Sequence, residues 1–547
     1  MEKGASVNLA GGSLDYQSGL VNTTWLTGSN GHIYSAANAP AGIPYSGVYH
    51  GFSINDTKWN VSAIYTSPLV APQQVFQPGF TVGRDAGTLI LNTPTALVDG
   101  TIIAGVVTGT LQTGARPAIV SNPFALGLSV APLGGTLAIG SYSATGLTGV
   151  SATDVVLGGS AATGYDPEGG VLAGRTQTAW LSGDLLNGSG LASLQISTGS
   201  SIRIAGPVTL GPGGQVSLTA PIVSVAADLS APGGAVILGN RFSGDGTFLT
   251  ANGAAAVSLM AGTRIDASGM WNNRQVNAMD ATGAGFIGGG SVTLDSSQGT
   301  SLAAGSTIDV SGGGTLSASS VLRGGKAGSV TLIADDPRGG TANAPLVLAG
   351  MLSGFGAAGS GTLSLSAPQV RIAAGGVSAG ETLSLTPQFF QRGFSSYVVN
   401  GMDGLSVAPA TTLNVVMPAY SRANSAVGLP TGANPADAYT LALAPLFVPN
   451  SATATVAQRG GASLALQSVR DVAGGTISIG SGAAITVDPG QSVALRAYGS
   501  IMVDGSITAP GGGIAIVNTR YQDGTDERRP SLYARLDWRF GSVRPAA

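Results

Sequence analysis

Gly214-Gln215-Val216-Ser217-Leu218 and, 20 residues on, Gly234-Ala235-Val236-Ile237-Leu238 share a pattern that returns as Gly290-Ser291-Val292-Thr293-Leu294 and Gly328-Ser329-Val330-Thr331-Leu332. A glycine opens each copy, and apolar residues then alternate mainly with small or polar ones. Alternation with period 2 places the apolar side chains on one face of an extended strand and the polar ones on the other. Between openings lies a second alternating strand, such as Ile222-Val223-Ser224-Val225 or Val370-Arg371-Ile372, introduced by Ala220-Pro221 and Ala367-Pro368. One repeat therefore reads as strand, turn, strand, turn.

A single repeat of this size cannot bury its own apolar face. Stacking solves the problem, because each strand pairs with its equivalent one repeat later and the inward residues form continuous columns. The expected fold is all-β: a right-handed parallel β-helix, a solenoid, with aromatic-rich insertions. Pro232-Gly233-Gly234 and Ser311-Gly312-Gly313-Gly314 read as corners at which glycine supplies a positive φ. Coils of about 20 residues at ~4.8 Å spacing would number about fifteen to twenty and make a rod of roughly 70 to 100 Å. A β-sandwich would instead need hairpin turns between antiparallel neighbours and would not favour near-identical strand openings.

Composition agrees with a repetitive, foldable chain. The 547 residues include 86 glycines, roughly twice the ordinary ~7%, and only 9% charged residues against an ordinary ~25%. Hydrophobic residues reach 43% and the net charge is −3, so apolar surface is available for burial. Few basic residues argue against nucleic acid, whose phosphates call for clustered Lys and Arg. Cysteine is absent, which removes disulfides and thiolate metal sites and is compatible with export. Met1 to Leu9 lacks the apolar core of a signal peptide, so export information is expected upstream or the chain is a piece of a longer one. No apolar run approaches the roughly 18 residues of a transmembrane helix.

The expected organisation is a β-helix start over 1–19, an aromatic-rich insertion over 20–80, β-helix over 81–388, an aromatic- and proline-bearing interruption over 389–460, β-helix over 461–519, and a charged amphipathic tail or cap over 520–547. In that tail, Leu532-Tyr533-Ala534-Arg535-Leu536-Asp537-Trp538-Arg539-Phe540 alternates as a strand, and capping the solenoid's open end is its simplest role. A membrane-barrel strand is the alternative, although a barrel needs at least about eight of them. For the aromatics of the two irregular regions, covering or capping the shaft is the simpler role. Recognition is the other, and its candidates are Trp25, Tyr34, Tyr45, Tyr49, Trp59, Phe394 and Tyr397.

Groups that could carry chemistry are sparse. Asp335-Asp336 sits in the turn composition Asp335-Asp336-Pro337-Arg338-Gly339-Gly340, and Asp99, Asp266, Asp309 and Asp504 lie beside Gly or Ser at strand ends, where carboxylates cap turns. His32 and His50 are eighteen residues apart, without the i, i+4 spacing of a helical zinc motif. No nucleophile elbow with a His partner, phosphate-loop Lys or repeated calcium nonapeptide is present. The expectation is no catalytic, metal or cofactor-binding residue, and no cofactor.

Several segments carry a family resemblance. Gly79-Phe80-Thr81-Val82-Gly83-Arg84-Asp85-Ala86-Gly87-Thr88-Leu89, Leu97 to Ile102, Ile265-Asp266-Ala267-Ser268-Gly269-Met270-Trp271-Asn272-Asn273, Ile308 to Gly314, and Phe389-Phe390-Gln391-Arg392-Gly393-Phe394-Ser395 are similar to the long uncharacterised β-helical region of filamentous haemagglutinin-like large exoproteins. The likeness spans nearly the whole chain, in the same order, and the non-repetitive pieces around Trp59, Trp271 and Phe389 make it specific. It implies two-partner secretion through an outer-membrane transporter, a secreted or cell-surface bacterial location, and adhesion, aggregation or biofilm formation. The family's amino-terminal secretion domain is not apparent, and its uncharacterised region offers no catalytic residues to carry over.

The leading functional expectation is the structural shaft of an adhesin-like exoprotein, not an enzyme, displaying loops to a host-cell, bacterial or matrix surface. A β-helical polysaccharide hydrolase or lyase would need several acids gathered in one groove. The shaft of a contact-dependent toxin would need a distinct carboxy-terminal effector, and none is read after Gly513.

Overall fold

The structure, a computed structural model, describes residues 1–519 except 37, 38, 41, 68–70, 73, 117–126, 144, 145, 150–152, 160–164, 167–169, 172–174, 243–246, 253, 335–344, 376–379, 452 and 471–474. The Asp335-Asp336 turn and the 520–547 tail lie outside the described residues. The chain divides into two compact units, one of residues 1–12, 83–108 and 112 onward, the other of Ser13–Val82 with Gly109–Leu111.

The larger unit is all-β and built on long parallel sheets. Gln215–Thr219 belongs to a first sheet, Ile222–Val225 to a second and Leu229–Ser230 to a third; the chain then returns to the first at Ala235–Gly239. The cycle continues with Ala256–Leu259 and Arg264–Asp266, then with Ser291–Asp295, Thr300–Leu302 and Thr307–Asp309. Equivalent strands pair in parallel and in register, so Val216 lies beside Val236, Val236 beside Val292 and Val292 beside Val330. That one column runs through Leu137, Leu194, Val216, Val236, Val292, Val330, Leu363, Tyr397, Leu464 and Val493, all fully buried. The third sheet contributes a second column, Val208, Leu229, Ile265, Ile308 and Leu352. The length of a repeat varies, from 20 residues between Val216 and Val236 to 56 between Val236 and Val292, without breaking these columns.

Glycine opens the strands for a different reason from the one expected. Gly233 does adopt φ +61 and turns the corner, but the glycines after the corners stack on one another. A Cβ on Gly234 would collide with the carbonyl oxygen of Gly214, one on Gly290 with that of Gly234, one on Gly328 with that of Gly290, and one on Gly361 with that of Gly328. Gly312, Gly313 and Gly314, expected to be positive-φ corners, have no such φ; they too face neighbouring backbone or side-chain atoms at close range. Backbone proximity between successive repeats is the stronger constraint, since only glycine lets two main chains approach that closely.

Two places rearrange the order. Thr178–Leu181 inserts between Ala96–Leu97 and Asp154–Leu157 in the second sheet. After it, the six-residue helix Gly183–Gly188, N-capped by the Ser182 hydroxyl, buries Leu185 and Leu186 where later repeats use a third-sheet strand. The long strands Thr362–Ile372 and Ser396–Val407 each pass from one set of pairings to the next, with a shift of register between Ala367 and Gln369. Since Ser396–Val407 and Thr412–Val415 belong to the parallel sheets, the departure from the stack expected at residue 389 begins only at Ala419–Arg422.

The smaller unit is made of hairpins. Gly19–Asn22 pairs antiparallel with Gln74–Gln77, Trp25–Gly28 with Ile33–Ser35 and Tyr45–Val48, and Phe52–Asp56 with Val61–Tyr65. Its limits, Ser13 to Val82, are wider than the expected 20–80. No helix among the described residues is long and apolar enough to cross a membrane.

Gly290→Ala is expected to destabilise the stack by about 1–3 kcal/mol, because the added methyl meets main chain that cannot move independently. Hydrogen exchange should show the loss centred on Ala235–Gly239 and Ser291–Asp295, since a repeat contacts chiefly its neighbours.

Candidate functional site

The seven aromatics singled out from the sequence do not form one surface. Five lie in the hairpin unit and two in the core of the stack. Phe394 and Tyr397 are fully buried, which overturns their reading as recognition residues. Tyr397 occupies the inward column between Leu363 and Leu464, and its hydroxyl accepts the Arg392 backbone N–H at 2.8 Å. Around it Phe390 and Phe394 stand with ring centroids 5.4 and 6.0 Å away. Phe394 also packs over Gly354, where a Cβ would strike its ring. The turn Pro387–Gln391 thus fills the core next to Thr412–Val415, with Gly354 N–H bonded to the Arg392 carbonyl.

In the hairpin unit the aromatics differ in availability. The Trp25 indole donates to the Pro72 carbonyl at 2.8 Å, and Tyr34 and Tyr45 meet edge to face at 6.0 Å. The Tyr34 hydroxyl accepts from Asn30, and that of Tyr45 donates to the Pro40 carbonyl, both at 2.7 Å. Tyr49 is half-buried, its backbone N–H on the Trp25 carbonyl. These four hold the three-stranded hairpin together. Trp59 is different: it is 69% exposed in the turn of the 52–65 hairpin, with the Lys58 ammonium 5.3 Å from its ring centroid. Ile54, Val61, Ile64 and Tyr65 on the same hairpin are also exposed, as are the paired Leu20 and Phe76. The hairpin is an apolar surface with few charges, the kind that marks interaction sites.

A second feature is the excursion from Ala419 to Ala442, which folds back on the stack. Ala419–Arg422 pairs antiparallel with Tyr439–Ala442, and Trp271, Leu316, Ala426, Ala438 and Tyr439 form a small separate core. Asn273 fixes the loop: its side-chain amide donates to the Val427 and Leu429 carbonyls at 3.0 and 2.8 Å, and its backbone N–H reaches Thr431. Tyr439 stacks on Tyr420 at 4.9 Å, and its hydroxyl donates to the Gly313 carbonyl at 2.8 Å. Beside this loop lies a cleft of about 320 Å³ lined by Arg264, Asp266, Trp271 and Asn434 among others. Its charges serve one another. In-register stacking places Asp266 beside Asp309, and the Arg264 guanidinium bridges them at 3.3 and 2.8 Å. Each carboxylate also caps its own turn, Asp266 on Ser268 N–H and Asp309 on Ser311 N–H, as expected of them.

Other acids are held in the same way, Asp85 by Arg116, Asp295 by Arg241 and Asp488 by Arg459. Among the described residues no group of three or more His, Asp or Glu is placed to hold a metal ion. His32 and His50 both lie in the hairpin unit, exposed. No protein-family model matches the chain, and no curated protein or solved structure is significantly similar to it.

Asn273→Ala should release the 423–434 loop: two carbonyls lose their donor at a cost of about 1–3 kcal/mol, and trypsin should cut at Arg422 faster than in the parent chain. Burial holds the Tyr397 and Tyr439 hydroxyls well above the ordinary tyrosine value of 10.0. Both are raised in the folded state, so their contribution to stability is whole below about pH 10 and is lost as pH rises from there through the folded values. Spectrophotometric titration should show a late-ionising tyrosine fraction that shrinks by two residues in the Tyr397→Phe, Tyr439→Phe double variant, with Tyr420, also raised by burial, left in it.

Proposed function

We propose that the larger unit is a right-handed parallel β-helix and that the chain is the structural shaft of a secreted or surface-associated bacterial adhesin-like exoprotein, not an enzyme. The cyclic visit to three parallel sheets supports the coiled reading, and parallel crossovers are right-handed in about 98% of cases. The observation that carries the functional reading is the contrast between the two units. One is a stack whose inward apolar residues form buried columns, although Val321 and Val456 among others are exposed on it; the other is a small set of hairpins on which Trp59, Ile54, Val61 and Ile64 are exposed.

The carboxylates favour this reading over polysaccharide hydrolysis. Asp266 and Asp309, the acids that stacking brings side by side, are tied to one arginine and to turn N–H groups. Adhesion, aggregation or biofilm formation would follow from presenting the hairpin unit to a host-cell, bacterial or matrix surface. Passage across the outer membrane would fall to a two-partner secretion transporter.

Excision of residues 13–82 tests the adhesive part. Arg84 N–H bonds to the Gly12 carbonyl at 2.8 Å, so a short Gly-Ser bridge can join Gly12 to Gly83 within the larger unit. The excised protein should keep its β-sheet circular dichroism and lose binding to cells or matrix, and Trp59→Ala should lose most of it. Unchanged binding by the excised protein removes the hairpin unit from the adhesive role.

A further inference from the structure

The cleft beside the 419–442 excursion gathers polar groups that the fold leaves without partners. Its floor is the outward side of the third sheet, where Ser230 lies in register beside Asp266 and Arg264 precedes that acid on the same strand. Its walls are the corner that holds Ser268 and the loop that holds Asn434. Both walls are fixed from within. The Ser268 carbonyl accepts the Gly233 N–H at 2.8 Å, the Gly432 N–H reaches the Trp271 carbonyl at 2.9 Å, and the Asn273 N–H reaches the Thr431 hydroxyl at 3.0 Å. A cleft whose shape is set before a ligand arrives loses little on binding it.

Among the described residues, the Ser230 and Ser268 hydroxyls have no hydrogen-bond partner. Arg264 commits one nitrogen to Asp266 and Asp309, and its Nε is buried without a partner. Asn434 caps the Ala436 N–H with its side-chain oxygen at 3.1 Å, which leaves its amide NH2 to donate. Each Asp266 oxygen holds one donor, from Ser268 and from Arg264, and can accept another. At about 320 Å³ the cleft stands at the small end of the roughly 300–1,000 Å³ spanned by ligand sites.

We propose that this cleft binds one uncharged sugar unit. Ring hydroxyls both donate and accept, which suits donors and acceptors spread over three sides, and Pro232, Met270 and Pro435 offer apolar contact to the C–H faces of the ring. Other small ligands fit less well. A nucleobase finds no exposed ring to stack on, since Trp271 is fully buried. An extended peptide finds no free strand edge, since Leu229–Ser230 and Arg264–Asp266 are each paired on both sides. An anion is turned away, because the Arg264 guanidinium is shared by Asp266 and Asp309 and its backbone N–H is held by Asp228 at 2.8 Å. With both acids tied to that arginine, the cleft holds a sugar without cleaving it. It belongs wholly to the larger unit, so sugar binding is independent of the role given to the hairpins.

Saturation-transfer NMR on the full chain tests this with D-glucose, D-galactose, D-mannose and N-acetyl-D-glucosamine as probes, and with D-glucuronate and D-glucosamine as charged counterparts. At least one neutral sugar should bind saturably and more tightly than either charged one. Ser230→Phe, which fills the floor, should weaken that sugar by about tenfold or more, and Asn434→Ala, which removes a donor, by about threefold or more. Slow exchange of the 229–230 and 265–266 amides shows the stack intact in both variants; if Ser230→Phe loses it, Asn434→Ala decides. Lack of saturable binding by all four neutral sugars overturns the proposal. So does tighter binding of glucuronate or glucosamine than of every neutral sugar, or a neutral sugar that binds the folded variants as it binds the parent.

Discussion

Main chain lying on main chain, one repeat above the next in strict register, is the constraint on which the rest of this structure depends. Where Gly234, Gly290 and Gly328 follow one another, no Cβ fits between successive backbones. The approach lets the adjoining strands share a complete parallel ladder, and the ladder forces equivalent side chains into columns. Since each column is one residue wide, Val, Leu and Ile substitute for one another along it. A tyrosine enters at Tyr397 only because Phe390 and Phe394 surround its ring and a backbone N–H meets its hydroxyl.

The same register disciplines polar groups. A residue that repeats at the same position meets its own kind one layer away, so a repeated carboxylate would face another carboxylate. Asp266 and Asp309 are the case in point, and Arg264 resolves it. A chain with 9% charged residues avoids most such encounters by using Ser and Thr on the outward positions.

Departures from the stack follow two physical patterns. The 419–442 excursion returns to the repeats and is anchored there by a few directional bonds from Asn273 and Tyr439, so it thickens one face of the unit. The Ser13–Val82 hairpins form a unit of their own, with antiparallel pairing closing each ladder locally and apolar residues left in solvent. An antiparallel hairpin has no successor to cover its faces. That is why exposure concentrates in it.

Strand existence and the parallel stacking of Gly214 to Leu332 were legible in the sequence, because a period of 2 in recurring copies leaves few other ways to bury the same face each time; the spacing of about 20 residues was not, since successive first-sheet partners from Val216 to Val330 lie 20, 56 and 38 residues apart. The turn-capping role of Asp266 and Asp309 was legible too, from their place before Ser at strand ends. Burial of the non-repetitive aromatics was not. Phe394 and Tyr397 looked like interruptions in a glycine-rich text, and only the packing of Gly354 against Phe394, and of Tyr397 between Leu363 and Leu464, made them core. The use of the strand-opening glycines was likewise decided in three dimensions. A local reading gives glycine its φ, whereas the collision it avoids is with a carbonyl 20 to 56 residues distant along the chain, from Gly214 to Gly234 and from Gly234 to Gly290. Periodicity is a one-dimensional property and survives in the sequence; proximity between repeats is created by folding and can be read only from it.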